Sequence, residues 1–207
     1  MSIARKITVA ACLALTAIAN PIGTAATPSS IRTRQGGGDP SILFQPIMYR
    51  VFPLEANWSE PAFTQLEVLR SGDVSIIENI AVFEGIPADA KTCTLGWAQG
   101  AKAERTGFAV QGSGLLATQQ LARLPDGVVS WESVTPIVNE AVEQGRPLLH
   151  PDTTSWPAIE IAVTHIAGPV QCAETIYIKV QVDDRNHAGS VYFGQDAKNG
   201  LTLTVVQ

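Results

Sequence analysis

The feature that most constrains the fold is a strict alternation of side chains in residues 176–182, which read IYIKVQV. The even positions hold only isoleucine or valine, whereas the odd positions hold tyrosine, lysine and glutamine. Side chains of a β-strand point alternately to the two faces of a sheet, so the segment predicts a strand with one buried and one solvated face. Residues 201–205 repeat the pattern, because leucine and valine alternate there with threonine.

Similar short runs, rich in β-branched and aromatic residues, recur from about residue 42 to the end of the chain. They predict ten strands, at residues 47–52, 64–70, 74–83, 92–97, 106–110, 127–132, 159–166, 175–182, 190–193 and 201–206. Two short helices are also predicted. Residues 115–124 are rich in helix formers, and residues 137–144 follow Thr135 as a helix N-cap and Pro136 at the first helical position. The pattern predicts an all-β fold, an antiparallel β-sandwich with one or two short helices, over residues 42–207.

The N-terminal segment predicts export from the cell. Arg5 and Lys6 precede the apolar residues 7–19, which end in the small-residue pattern Ala-Ile-Ala. As a helix this run covers about 20 Å, which is too short for a hydrocarbon core of about 30 Å. Residues 1–19 therefore predict a secretory signal peptide, and residues 20–41, with several prolines and three consecutive glycines, predict a flexible leader. We expect no membrane insertion, since no second long apolar run follows.

Two sequence features take their meaning from this predicted compartment. Cys93 and Cys172 are the cysteines that remain after signal removal, and an oxidising compartment favours a structural disulfide between them over a redox or metal-binding pair. Asn57-Trp58-Ser59 is the one N-x-S/T sequence in the chain and predicts N-glycosylation of Asn57 on an exposed loop.

The charge balance argues against two classes of partner. The chain has 19 acidic and 14 basic residues, which gives a net charge of −5 at neutral pH. A protein that binds nucleic acid or an anionic membrane needs clustered positive charge. We therefore expect neither nucleic acid nor a membrane as partner.

Catalytic and metal-binding motifs are not evident in the sequence. Residues 112–114 (Gly-Ser-Gly) do not match the nucleophile elbow of hydrolases. No catalytic residue, cofactor or metal is predicted, and the histidines lack the spacing of a metal site: His150, His165 and His187. Glu132 and Glu160 remain candidates for the acid pair of a small secreted hydrolase, although acids on the solvent face of a strand explain them equally well.

The four tryptophans differ in sequence context. Trp97 follows Cys93 closely and is expected to pack near the disulfide, and Trp131 is expected inside a strand and in the core. Trp58 and Trp156 lie near prolines in loop-like segments, so they are the candidates for exposed rings that bind a ligand such as a sugar. Core or half-buried packing is nevertheless the more common environment for tryptophan and is favoured for both.

Residues 80–97 (IAVFEGIPADAKTCTLGW) read as a strand, a proline-containing turn and a second strand. The spacing of Phe83, Pro87, Cys93, Leu95 and Trp97 resembles that of fungal secreted proteins with the C-terminal domain of the ubiquitin-binding But protein family. The resemblance implies an all-β domain of similar size. It implies binding and not catalysis, and it brings no catalytic residues.

These observations together predict a secreted glycoprotein of a fungal cell surface or cell wall, a non-enzymatic binding domain or an effector. The expected partners are a cell-wall polysaccharide or a surface protein. Two alternatives stay open, which are a carbohydrate-binding module or lectin-like protein and a small secreted hydrolase.

Overall fold

A computed structural model describes residues 31–33, 40–105, 107–185 and 188–207, with side chains described from residue 40 onward. The predicted signal peptide and most of the predicted leader lie outside the described residues, as does His187. No helix in the part of the chain that the structure describes is long and apolar enough to cross a membrane.

The described chain forms thirteen strands and one α-helix. The strands are β1 (Ile31–Thr33), β2 (Ser41–Phe44), β3 (Ile47–Val51), β4 (Leu66–Ser71), β5 (Val74–Glu84), β6 (Thr92–Gln99), β7 (Phe108–Gly112), β8 (Leu116–Leu121), β9 (Leu148–Leu149), β10 (Val163–Val170), β11 (Thr175–Val182), β12 (Ala188–Phe193) and β13 (Gly200–Val206). The helix is α1 (Trp131–Glu143), and two short 3-10 helices span Lys102–Glu104 and Trp156–Ala158.

The strands form two antiparallel sheets that pack face to face, which confirms the predicted β-sandwich. Sheet I has five strands in the order β1-β2-β13-β6-β10. Sheet II has eight, in the order β7-β12-β4-β5-β11-β8-β9, with β3 also paired to β5. Thr33 and Ser41, both within the predicted leader, belong to paired strands of sheet I.

The core between the sheets is built from the alternating apolar positions. Leu95 and Leu203 of sheet I and Phe83 and Ile178 of sheet II are all fully buried in one cluster. Each of the even positions of β11 lies in this cluster, as the alternation predicts.

A second, smaller core lies on the other face of sheet II, under α1. Val134, Ile137 and Ala141, spaced three and four residues apart, form the buried stripe of the helix and pack on Ile80 and Leu121. This helix covers the face of β11 that the sequence predicts to be solvated. The odd positions of β11 are consequently only partly exposed or buried.

The prediction of a strand over residues 127–132 is wrong, because α1 begins there. Ser130 is the N-cap: its Oγ accepts from the Ser133 amide at 3.3 Å, and the Ser133 Oγ accepts from the Ser130 amide at 3.0 Å. Thr135 is therefore inside the helix and not its cap, and Pro136 lies within it.

The prediction of a helix over residues 115–124 is also wrong, since this segment contains strand β8. Its backbone pairs with β11 on one side and with β9 on the other. Buried pairing at the edge of a sheet outweighs the helix propensity of alanine, leucine and glutamine, which is worth only a few tenths of a kcal/mol per residue.

Cys93 and Cys172 form a disulfide, with the Sγ atoms 2.11 Å and the Cα atoms 5.3 Å apart. Cys93 lies in β6, and Cys172 follows β10, which pairs with β6. The bridge therefore ties the last strand of sheet I to its neighbour.

Candidate functional site

Three exposed apolar side chains come from two loops next to the N-terminus of α1. Leu54 and Trp58 belong to the β3–β4 loop and are 66% and 55% exposed. Val128 belongs to the loop between β8 and α1 and is 67% exposed. We call these three residues the loop–helix surface.

Hydrogen bonds tie each of the two loops to the first turn of α1. The Glu132 amide, in the first turn of α1, donates to the carbonyl oxygen of Ala56 at 2.8 Å. The first amides of a helix have no partner within the helix, so this bond satisfies a donor that would otherwise need water or a side chain. Ser133 Oγ donates to the carbonyl oxygen of Val128 at 2.9 Å, which fixes the second loop.

The β3–β4 loop has its own internal supports. The Trp58 amide donates to the Glu55 carbonyl oxygen at 2.7 Å. Arg50 forms ion pairs with Glu60 at 2.9 Å and with Glu67 at 3.0 Å. These contacts give Trp58 a defined backbone position on the surface, so its indole ring is available for binding without ordering the whole loop.

Asn57 is exposed and lies next to Trp58 on this loop. A side chain in that position is accessible to a modifying enzyme. Glycosylation of Asn57 stays a prediction, and a glycan there would stand beside the loop–helix surface.

The choice of Trp156 as a candidate ligand-binding residue is wrong, because its side chain is buried. Its side chain is only 2% exposed and packs edge-on against the rings of Phe108 and Phe193, with centroids 4.4 and 5.0 Å away. The apolar interior at this end of the sandwich accommodates the indole, and its ring cannot stack on a ligand outside the protein.

The remaining two tryptophans are not available as a binding platform. Trp97 is buried in the same cluster as Cys93 and stacks on His165 with centroids 4.5 Å apart. The prediction that Trp131 lies in a strand is wrong, because Trp131 is the first residue of α1. Its side chain is partly buried, and its ring centroid lies 5.5 Å from Lys179 Nζ. Trp58 is thus the one largely exposed tryptophan among the described residues, and no strip of exposed tryptophans accompanies it there.

The candidate acid pair lies outside the cavities described here. Glu132 is exposed in the first turn of α1, and Glu160 is exposed and paired with Lys102 at 3.1 Å. Neither carboxylate lines any of four cavities that lie among the described residues. In the described part of the chain, no group of three or more histidine, cysteine, aspartate or glutamate side chains is placed to hold a metal ion.

One charged cluster was not predicted from the sequence. The buried Asp183 carboxylate accepts hydrogen bonds from Arg185 Nε at 2.8 Å and Nη2 at 2.6 Å, and His150 Nδ1 lies 2.7 Å away. The hydrogen bonds from Arg185 hold the pKa of Asp183 far below its usual range. The cluster joins the end of β9 to the end of β11 through His150 and Asp183, and a carboxylate with so low a pKa is a poor base. The sequence gives little signal for it, because His150 is distant in the chain.

Comparison with protein-family models, with curated proteins and with solved structures gives no match to this chain.

Proposed function

We propose that this protein is a secreted, non-enzymatic binding domain that recognises a surface protein through the loop–helix surface, at a fungal cell surface or cell wall. The observation that carries the proposal is the exposure of Trp58 together with Leu54 and Val128 on two loops that are each hydrogen-bonded to the first turn of α1. Exposed apolar side chains gathered on one surface mark interaction sites, and tryptophan is frequent among the residues that dominate binding energy.

The charged groups of the described residues support binding over catalysis. Glu160 is engaged with Lys102, and Asp183 is engaged with Arg185. Hydrolysis by two carboxylates requires them to flank the scissile bond inside a cleft. Two exposed acids, of which neither lines a described cavity, do not provide this arrangement.

A protein partner is favoured over a polysaccharide by the make-up of the surface. Modules that bind polysaccharide chains stack several aromatic rings along successive sugars, whereas the exposed apolar residues that accompany Trp58 on these two loops are the aliphatic Leu54 and Val128. Aliphatic side chains around one aromatic anchor are typical of protein interfaces. Binding of a cell-wall polysaccharide through Trp58 is the second candidate.

Two further features support the compartment and the class. The Cys93–Cys172 disulfide is of the kind that persists in oxidising compartments outside the cytosol. The resemblance of residues 80–97 to the fungal But domain, which implies binding without catalysis, remains a proposal.

A capture experiment tests the function. Immobilised wild type, Trp58→Ala and Ile166→Thr would be incubated with surface proteins and, separately, with insoluble chitin, β-glucan and cellulose. Ile166 is also an exposed apolar residue, at 77% against 55% for Trp58, but it lies on β10 of sheet I, so it is the control. We expect saturable capture of a protein, weakened about thirtyfold by Trp58→Ala and unchanged by Ile166→Thr.

Other outcomes overturn the proposal. If Trp58→Ala captures the partner as well as wild type does, the loop–helix surface is not the binding site. Binding to a polysaccharide that is competed by free sugar and lost in Trp58→Ala selects the second candidate. Hydrolysis of a glycan or ester by the purified protein contradicts a non-enzymatic role.

A further inference from the structure

A cavity of about 260 Å³ opens at the edge of the sandwich, where β10 of sheet I faces β8 and β9 of sheet II. Leu95 of β6 and Ile178 of β11 line it and are otherwise fully buried. Leu149 and Val170, both partly buried, also line it. The cavity thus offers an apolar wall that belongs to the main core of the protein.

The two edges of this cavity are joined by a pair of hydrogen bonds. Gln120 Nε2 donates to the carbonyl oxygen of Gln171 at 2.8 Å, and the Gln171 amide donates to Gln120 Oε1 at 2.8 Å. Gln120 lies in β8 and Gln171 directly follows β10, so the bonds connect sheet II to sheet I. The cavity is therefore preformed, and a ligand does not have to separate the sheets.

Arg146 supplies a positive charge to this cavity. Its backbone is fixed on both sides, because its amide donates to the Ala141 carbonyl oxygen at 3.0 Å and its carbonyl oxygen accepts from Gln119 Nε2 at 3.3 Å. The guanidinium Nε donates to Gln144 Oε1 at 3.1 Å. In the described part of the chain, no carboxylate forms an ion pair with Arg146.

The guanidinium group of Arg146 has hydrogen-bond donors that the described residues leave unused. Nε is committed to a neutral amide, whereas neither Nη1 nor Nη2 has a partner in the described residues. The planar fork of a guanidinium matches the two oxygens of a carboxylate and binds them with charge-assisted hydrogen bonds. An apolar wall beside such a fork complements a molecule that is apolar at one end and anionic at the other.

We propose that this edge cavity binds a monocarboxylate with a short aliphatic tail. Arg146 holds the carboxylate, and Leu95, Leu149, Val170 and Ile178 contact the tail. The volume is slightly below the roughly 300–1,000 Å³ of sites that hold drug-sized ligands, so the ligand is a small molecule and not a long-chain lipid. This site is separate from the loop–helix surface and does not depend on the function proposed above.

Titration of the full-length mature protein with octanoate tests the proposal. Binding is measured by calorimetry and by the chemical-shift changes of backbone amides. We expect saturable binding of octanoate and amide shifts confined to Leu95, Ile178 and residues 118–120, 144–146, 148–149 and 170–171. Arg146→Gln keeps polar donors but removes the charge, and we expect it to weaken binding at least tenfold. Methyl octanoate, which has the same tail without the anion, should bind at least tenfold more weakly to wild type.

Two matched variants serve as controls. Arg123→Gln makes the same change at an exposed arginine that pairs with Glu140 and does not line the cavity, so it should bind octanoate like wild type. Trp58→Ala should also bind octanoate like wild type, which separates this site from the loop–helix surface. The proposal is overturned if wild type does not bind octanoate, if Arg146→Gln binds it equally well, or if the methyl ester binds as tightly as the acid.

Discussion

The backbone amide of Glu132 donates a hydrogen bond of 2.8 Å to the carbonyl oxygen of Ala56. This bond joins the first turn of α1 to the β3–β4 loop, so that Trp58 and Val128 are presented from neighbouring segments of the surface. Helix α1 is itself anchored through Val134, Ile137 and Ala141 on sheet II. The exposed apolar residues therefore stand on a rigid base, which lowers the entropic cost of binding a partner.

The Cys93–Cys172 disulfide should contribute substantially to stability. Cross-linking residues separated by 79 positions is worth about 4.5 kcal/mol in the chain-entropy model. We expect Cys93→Ser/Cys172→Ser to lower the free energy of unfolding by an amount of that order, measured by denaturant titration of the purified proteins. Intact mass of the unreduced wild type provides the check on the bridge itself, and a mass with two free thiols would refute it.

The buried ion pair of sheet II should behave differently from a surface pair. Lys179 Nζ lies 2.7 Å from Glu78 Oε2, and both side chains are buried beneath α1. Lys179→Met leaves the Glu78 charge without its counter-ion, so we expect a loss of about 3–5 kcal/mol in the free energy of unfolding. Lys179→Met/Glu78→Gln removes both charges and should recover most of this loss. A double variant no more stable than the single one would show that the charge pairing is not the cause.

The Asp183 cluster predicts how stability changes in acid. Hydrogen bonds from Arg185 hold the folded-state pKa of Asp183 well below its ordinary value of 3.8. Above pH 3.8 the carboxylate is ionised in both states, and its full stabilising contribution is present. As the pH falls below this value, the unfolded chain takes up the proton first, so the free energy of unfolding decreases.

Asp183→Asn is the variant that tests this pH dependence. It should lower stability at neutral pH, because the interaction of the carboxylate with Arg185 and His150 is lost. It should also make the decrease in stability below about pH 4 smaller than in wild type. Thermal unfolding at a series of pH values measures this decrease. Asp184→Asn, at the exposed neighbouring position, is the control and should leave the acid profile unchanged. An identical acid profile for wild type and Asp183→Asn would contradict the assignment.

The alternation in β11 was enough to predict which of its residues face the core between the sheets, because every even residue lies there. The same alternation could not reveal that α1 covers the opposite face, since the residues of α1 lie about 40 positions earlier in the chain. The burial of Lys179 is the result of that packing. For β8, the local preference for a helix predicts the wrong structure, because pairing with β11 is a non-local contact.

The candidate sites, too, could be predicted only where they depend on residues close together in the sequence. Trp58 could be predicted as an exposed aromatic residue from its loop-like context, but the identical argument failed for Trp156, whose burial depends on Phe108 and Phe193. The edge cavity has no local signature at all. Its apolar wall and Arg146 come from strands and a loop that meet only in the folded protein.

Site-specific photo-crosslinking at position 58 tests the central claim most directly. A photoreactive phenylalanine analogue would replace Trp58 in one protein and Ile166 in the control, and both would be irradiated with the surface proteins of the source cells. We expect one discrete protein adduct from position 58, absent at position 166 and suppressed by excess unlabelled wild type but not by Trp58→Ala. Adducts of equal yield from both positions, or none from position 58, would contradict the loop–helix surface as the binding site.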